Sequence, residues 1–125
     1  MTVKTEGNHD AEFLLSEAQG ERSRRNITVV SGQNLVAGTV VGKITSSGKY
    51  TAYDDDNNDG SEAAAGVLLC AVDATDDDKA GVIIDRDAEV KDDLLVWASS
   101  NDATDITNGK ADLEALGIRV RENYT

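Results

Sequence analysis

A single cysteine, Cys70, excludes an internal disulfide and any cysteine-based metal cluster. It sits in the apolar run Gly66-Val-Leu-Leu-Cys-Ala-Val72, which predicts a buried, inert thiol. The only histidine, His9, lies far from it near the N-terminus, so no cysteine or serine has an imidazole to activate it. No Gly-x-Gly-x-x-Gly or P-loop motif is present. Aromatic residues are scarce: one Phe (Phe13), one Trp (Trp97) and three Tyr. The core must therefore be aliphatic, and a stacking platform for sugars is missing. Basic residues number 12 against 24 acidic, a net charge of -12. That excludes the basic face a nucleic-acid binder needs and disfavours an anionic membrane surface. No segment approaches the ~18 apolar residues of a membrane span, and no signal-peptide pattern opens the chain. A cytosol-like compartment of synthesis is the expectation, with the sequons Asn26-Ile-Thr28 and Asn123-Tyr-Thr125 as chance matches. Carboxylates are plentiful but fall in loop-like clusters, and no pair stands out as a glycosidase dyad. The expectation is a protein that is not an enzyme and carries no cofactor.

What is present is organised around Arg22–Thr45. Three arginines (Arg22, Arg24, Arg25) lead into β-branched residues punctuated by Gly32, Gly38 and Gly42. A chain of 125 residues is one domain, or one domain with an arm. It buries roughly two-thirds of its unfolded surface. We read residues 1–26 as an extended N-terminal arm and 27–125 as a β-rich body. Residues 1–10 are polar and aperiodic. Glu12-Phe13-Leu14-Leu15-Ser16-Glu17 is too short for a stable isolated helix. Two readings stay open for it: a segment packing onto the body, or an anchor that orders on a partner. In extended chain Arg22 and Arg24 share one side and Arg25 faces the other. These cations can pair with acids of a partner or of the body.

Asn26–Val30, Thr39–Thr45 and Lys49–Tyr53 read as strands separated by turn chemistry. Gly42 inside the second predicts a bulge or a close backbone approach. Tyr50 or Tyr53 is expected at the core edge with its hydroxyl in water. Asp54–Glu62 invites a calcium reading, because Asp55, Asn57, Asp59 and Gly60 match positions 1, 3, 5 and 6 of the calcium-loop pattern. Position 12 falls on Gly66, where a bidentate Glu is required, and the flanks read as strands. The loop is thus read as a solvated turn, with Asp55, Asn57 and Asp59 as weak metal candidates. Val67–Val72 reads as one strand buried on both sides. Val82 to Val90 reads as a further strand. Leu94–Ala98 fits strand or short helix, with Trp97 in the core. A late helix is predicted, capped by Thr107 or Asn108 and closed at Gly117. Ile118–Arg121 then alternates as a strand, Ile118 and Val120 inward. The fold class is mainly β: a small β-barrel or tadpole-like body with one short C-terminal helix and an extended arm.

The order of these words resembles the head decoration protein family of tailed bacteriophages, the lambda-type capsid decoration proteins. Glu12-Phe-Leu-Leu-Ser-Glu-Ala-Gln-Gly-Glu-Arg-Ser-Arg24 is similar to the arm of longer members. Thr28–Ile44 is similar to the start of their body. Asp59-Gly60 with Ala64-Ala-Gly-Val-Leu-Leu69, Ala88-Glu-Val90 and Leu116-Gly-Ile118 also fit. The chain departs from the lambda-like members in having no proline. The resemblance implies a structural cement protein on the outside of an expanded head, at three-fold and quasi-three-fold positions. It implies a homotrimer whose partner is the major capsid protein, resisting the pressure of packaged DNA. It also implies an N-terminal arm that adds a strand to that protein. On this reading Glu12, Phe13, Leu14, Leu15, Arg22, Arg24 and Arg25 form the capsid-binding arm. The alternative is a surface-displayed β-domain that binds host glycan or calcium.

Overall fold

A computed structural model describes residues 13–18 and 22–122. Glu12, His9 and the second sequon lie outside them. Five strands close into a barrel in the order β2 (Arg24–Val29), β5 (Tyr50–Ala52), β4 (Val40–Lys43), β6 (Ala64–Leu68) and β8 (Lys79–Ile84). Neighbouring barrel strands run antiparallel, except β2 and β5, which are parallel. Beside the barrel lies a three-stranded sheet in the order β1 (Leu14–Glu17), β9 (Ala88–Lys91), β10 (Ile118–Arg121). A two-stranded ribbon joins β3 (Gln33–Leu35) to β7 (Val72–Ala74), and α1 spans Ala103–Ala115.

The apolar runs follow from burial on two faces. Successive side chains on a strand point to opposite sides. Val40 and Val41, Val67 and Leu68, Ile83 and Ile84 are fully buried neighbours that divide between two clusters. All five barrel strands contribute to one cluster, through Ile27, Val29, Val41, Tyr50, Leu68 and Ile83, which places it inside the barrel. The other gathers Val40, Val67 and Ile84 with Phe13, Val90, Leu113 and Ile118. It is the layer between the barrel's outer face and the sheet and helix that cover it.

Gly42 shows both features expected of it. The β4–β6 register shifts between Val41 and Gly42. A β-carbon at Gly42 would stand 2.6 Å from the Ser61 carbonyl oxygen. Gly117 has φ +86°, the left-handed value that ends α1.

The structure corrects several expectations. The apolar run Val67–Val72 is not one strand: β6 ends at Leu68, and Val72 opens β7 against β3. Apolarity reports burial and not the point where a ladder changes partner. Residues 82–90 divide into β8 and β9, broken at Asp87 with φ +49°, a conformation that Asp tolerates better than most side chains. The helix starts at Ala103, a full turn before Thr107. Asp102 is its N-cap, in a reciprocal pair: Asp105 N–H donates to Asp102 Oδ1 at 2.9 Å, and Asp102 N–H donates to Asp105 Oδ2 at 3.0 Å. Asp at the third helical position, in place of the usual Glu or Gln, hid that cap inside an apparent loop. A 3-10 turn covers Asp92–Leu94, and Val96 then bridges Thr39. Trp97 is half-buried against the outer core. Tyr53 is fully buried, and its hydroxyl meets protein groups rather than water. Cys70 is half-buried and lines a surface cavity with Arg24, Asn26, Leu69 and Val82.

Candidate functional site

The N-terminal segment is built into the body from Phe13 onward. Strand β1 runs antiparallel to β9, pairing Leu14 with Val90, Ser16 with Glu89 and Glu17 with Ala88. The register shifts between Leu14 and Ser16, and Leu15 is left 37% exposed at that bulge. Phe13 is fully buried in the outer cluster, and its carbonyl accepts the Lys91 N–H at 2.7 Å. Of the two readings open for this segment, the described structure has Phe13 packed on its own chain. Leu14 is half-buried beside it. Glu12 lies outside the described residues. β1 sits at the edge of its sheet, and its outer side pairs with no strand among the described residues.

The arginines have acids of their own chain. Arg24 grips Glu17 with two bonds, Nε–Oε2 at 2.9 Å and Nη2–Oε1 at 2.6 Å. That grip holds the Glu17 carboxyl below the usual carboxylate range, burial opposing it only in part. Arg25 Nε donates to Asp85 Oδ2 at 2.5 Å, which raises the Arg25 guanidinium further. The Asp85 side chain is only 10% exposed, and its Oδ1 is buried with no hydrogen-bond partner. Arg22 lies 3.6 Å from Asp87. Buried Ser23 locks the bend between β1 and β2: its Oγ accepts the Ala18 N–H and donates to the Asp87 carbonyl, both at 2.9 Å. Ser23, Asp85 and Asp87 carry no signal of these roles in the sequence. Asp85 meets a partner 60 residues away in the chain, and Asp87 one 64 residues away.

The acidic loop at 54–59 divides its side chains among separate partners. Asp55 Oδ1 accepts from the Tyr53 hydroxyl at 3.0 Å, and Asn57 Nδ2 donates to Ser61 Oγ at 2.8 Å. Asp59 Oδ1 accepts both the hydroxyl and the N–H of Ser61, which lower its carboxyl. Among the described residues no group of three His, Cys, Asp or Glu side chains converges as a metal site. No described helix is long and apolar enough to cross a membrane.

The barrel, the covering sheet and one short helix form the body behind this N-terminal edge. Over residues 3–118 the sequence matches the family model of the bacteriophage lambda head decoration protein D. The chain belongs to this family. No curated protein matches it. Head decoration proteins are structural and not enzymatic; they sit on the capsid surface of the virion and stabilise the head. A decoration protein needs a rigid body and a surface that grips the shell. The two-layer core supplies the first.

Proposed function

We propose that this decoration protein binds as a homotrimer at the three-fold and quasi-three-fold positions of an expanded head. Its partner there is the major capsid protein. Of residues 1–26, the expected arm, those ahead of Phe13 form the gripping segment and add a strand to that protein, because Phe13, β1 and the start of β2 are already paired or packed within the body. The observation that carries this reading is the position of β1. It is the edge strand of its sheet, it follows directly on residues 1–12, and it presents Leu15 outward. Strand addition draws affinity from main-chain hydrogen bonds and specificity from alternate side chains. Three such segments on one body gain avidity through effective concentration. Within the expected set, Glu12 and Leu15 would contact the shell directly. Phe13 and Leu14 would hold the segment's root, and Arg22, Arg24 and Arg25 would fix its exit from the body.

Co-sedimentation with expanded, undecorated heads tests this. Removing residues 1–11 leaves Phe13 and β1 in place, whereas removing residues 1–25 strips the core. Saturable binding by the full chain that the 1–11 deletion abolishes is the expected result. Equal binding by both places the grip in the body and overturns the arm assignment. Light scattering on the free protein and on protein released from heads tests the trimer.

A further inference from the structure

The barrel is open at one end. Arg25 near the start of β2, Tyr50 at the start of β5, Lys43 at the end of β4, Ala65 near the start of β6 and Asp85 just beyond β8 line one cavity there, of about 450 Å³. They come from all five barrel strands, so the cavity is the barrel's mouth. The pleat explains why polar groups point into it. Arg25, Lys43 and Asp85 each stand two residues from an inner-core side chain (Ile27, Val41 and Ile83) and share its inward face. Barrel mouths are a common place for binding sites.

The mouth continues into a seam in the barrel wall. β2 pairs with β8 over all six of its residues but meets β5 only through Val29 and Tyr50. The Val30 N–H donates to the Tyr50 carbonyl at 2.9 Å. Alternate residues of a strand turn their backbone groups to the same edge. Asn26 therefore presents its N–H and carbonyl to the seam, where no strand among the described residues pairs with it. A second cavity, of about 360 Å³, runs along this edge and shares Arg25, Lys43 and Tyr50 with the mouth. An open strand edge is a template for pairing with another chain. The charges beside it do not balance. Asp85 neutralises Arg25, and the acids flanking the rim are turned onto their own loop: Asp59 to Ser61, Glu62 to the Gly60 N–H. Lys43 is exposed and forms no ion pair among the described residues.

We propose that the seam and mouth receive an extended, acidic segment of the capsid protein, its backbone paired to β2 at Asn26 and one of its carboxylates seated on Lys43. This second contact rests on the capsid-binding reading above. Location selects the partner. Arg24 grips Glu17 of β1, and Arg25, the next residue, lines the mouth. The seam thus opens beside the root of the gripping segment, where on that reading the shell lies. Leu116, 37% exposed on the rim, offers the segment an apolar rest. Main-chain bonds along β2 supply affinity, and the Lys43 pair selects an acidic segment and fixes its register.

Two measurements test this. On decorated heads, a zero-length carbodiimide joins lysines to carboxylates in contact with them, and mass spectrometry maps the links. Co-sedimentation with expanded, undecorated heads compares the unmodified chain with Lys43→Glu and Lys43→Arg. Lys43 should be joined to an Asp or Glu of the capsid protein. Lys43→Glu should raise the concentration for half-saturation about tenfold or more, as expected for a charge pair closed within an interface. Lys43→Arg should bind like the unmodified chain. All three should melt alike, because Lys43 is exposed. Unchanged half-saturation for Lys43→Glu with no link at Lys43 overturns the proposal, leaving a lysine that only guards an open edge. Links from Lys43 to other copies of this chain alone overturn it too. Either result, with binding that still requires residues 1–11, leaves the gripping segment standing, so the two readings fail separately. No binding by the unmodified chain sinks both.

Discussion

The indole of Trp97 lies against the backbone of Gly109 in the middle of α1, so closely that a β-carbon there would stand 2.5 Å from Trp97 Cζ3. The same β-carbon would stand 3.0 Å from Tyr53 Cε2. Tyr53 and Trp97 meet edge to face, with centroids 5.9 Å apart. Helix propensity alone favours Gly109→Ala by about 1 kcal/mol. Overpacking costs about 1–3 kcal/mol, and both rings here are held by neighbours. The expected outcome is a net loss of about 1–2 kcal/mol. It would read as a lower urea midpoint at unchanged slope. A stabilised variant would mean that Trp97 swings aside freely.

Phe13 and Leu15 should separate sharply. Phe13 is fully buried, so Phe13→Ala removes a ring from the outer core at a cost of about 3–5 kcal/mol. Leu15 is 37% exposed, and Leu15→Ala should change the stability of the free protein by no more than about 0.5 kcal/mol. Thermal unfolding of the two variants measures this directly. Equal, small effects would show that the segment does not pack on the body in solution.

Arg25 shields a nearly buried charge. Arg25→Ala leaves the Asp85 carboxylate without its cation, one oxygen already lacking a hydrogen-bond partner. Because Arg25 is itself half exposed, the loss should stay near the low end for an unpaired buried group, about 1 kcal/mol. Adding Asp85→Asn to that variant should recover part of it. A double-mutant cycle gives the coupling.

Acid should weaken the fold through a different set of groups. The Arg24 bond lowers Glu17; bonds from Ser16 and Arg121 lower Glu89; the Thr75 hydroxyl lowers Asp73; Lys49 lowers Asp78. A lowered carboxylate contributes stability above its unfolded value, 4.5 for Glu and 3.8 for Asp, and that contribution is lost as pH falls through the folded value. Melting temperature should therefore drop below the carboxylate range. Glu17→Gln and Glu89→Gln should each flatten that drop, and added salt should shrink the effect of both.

Much of the architecture was legible because local chemistry and global fold agree. β-branched runs between turn residues marked strands β2, β4 and β5, and Ile118–Arg121 alternated as expected. Gly42 and Gly117 announced a close approach and a helix end, since a side chain fits poorly at either place. The N-terminal segment was legible only as a choice. Three consecutive apolar residues state that something must be buried, but not against what.

While the structure adds Phe13 and Tyr53 to the fully buried side chains, composition and pattern determined a mainly β body with a largely aliphatic core, one late helix and no catalytic constellation. They also carried the order of words that marks the decoration family, because family signals and strand periods are local and survive in one dimension. Only the tertiary structure decided that five strands close into a barrel with a second core outside it. It also decided that Phe13 belongs to that outer core, that Arg22 meets Asp87 and Arg25 meets Asp85, and that the Tyr53 hydroxyl reaches the Asp105 carbonyl. Those are pairings between residues distant in the chain. Their energies depend on burial and separation, and neither exists until the backbone has closed.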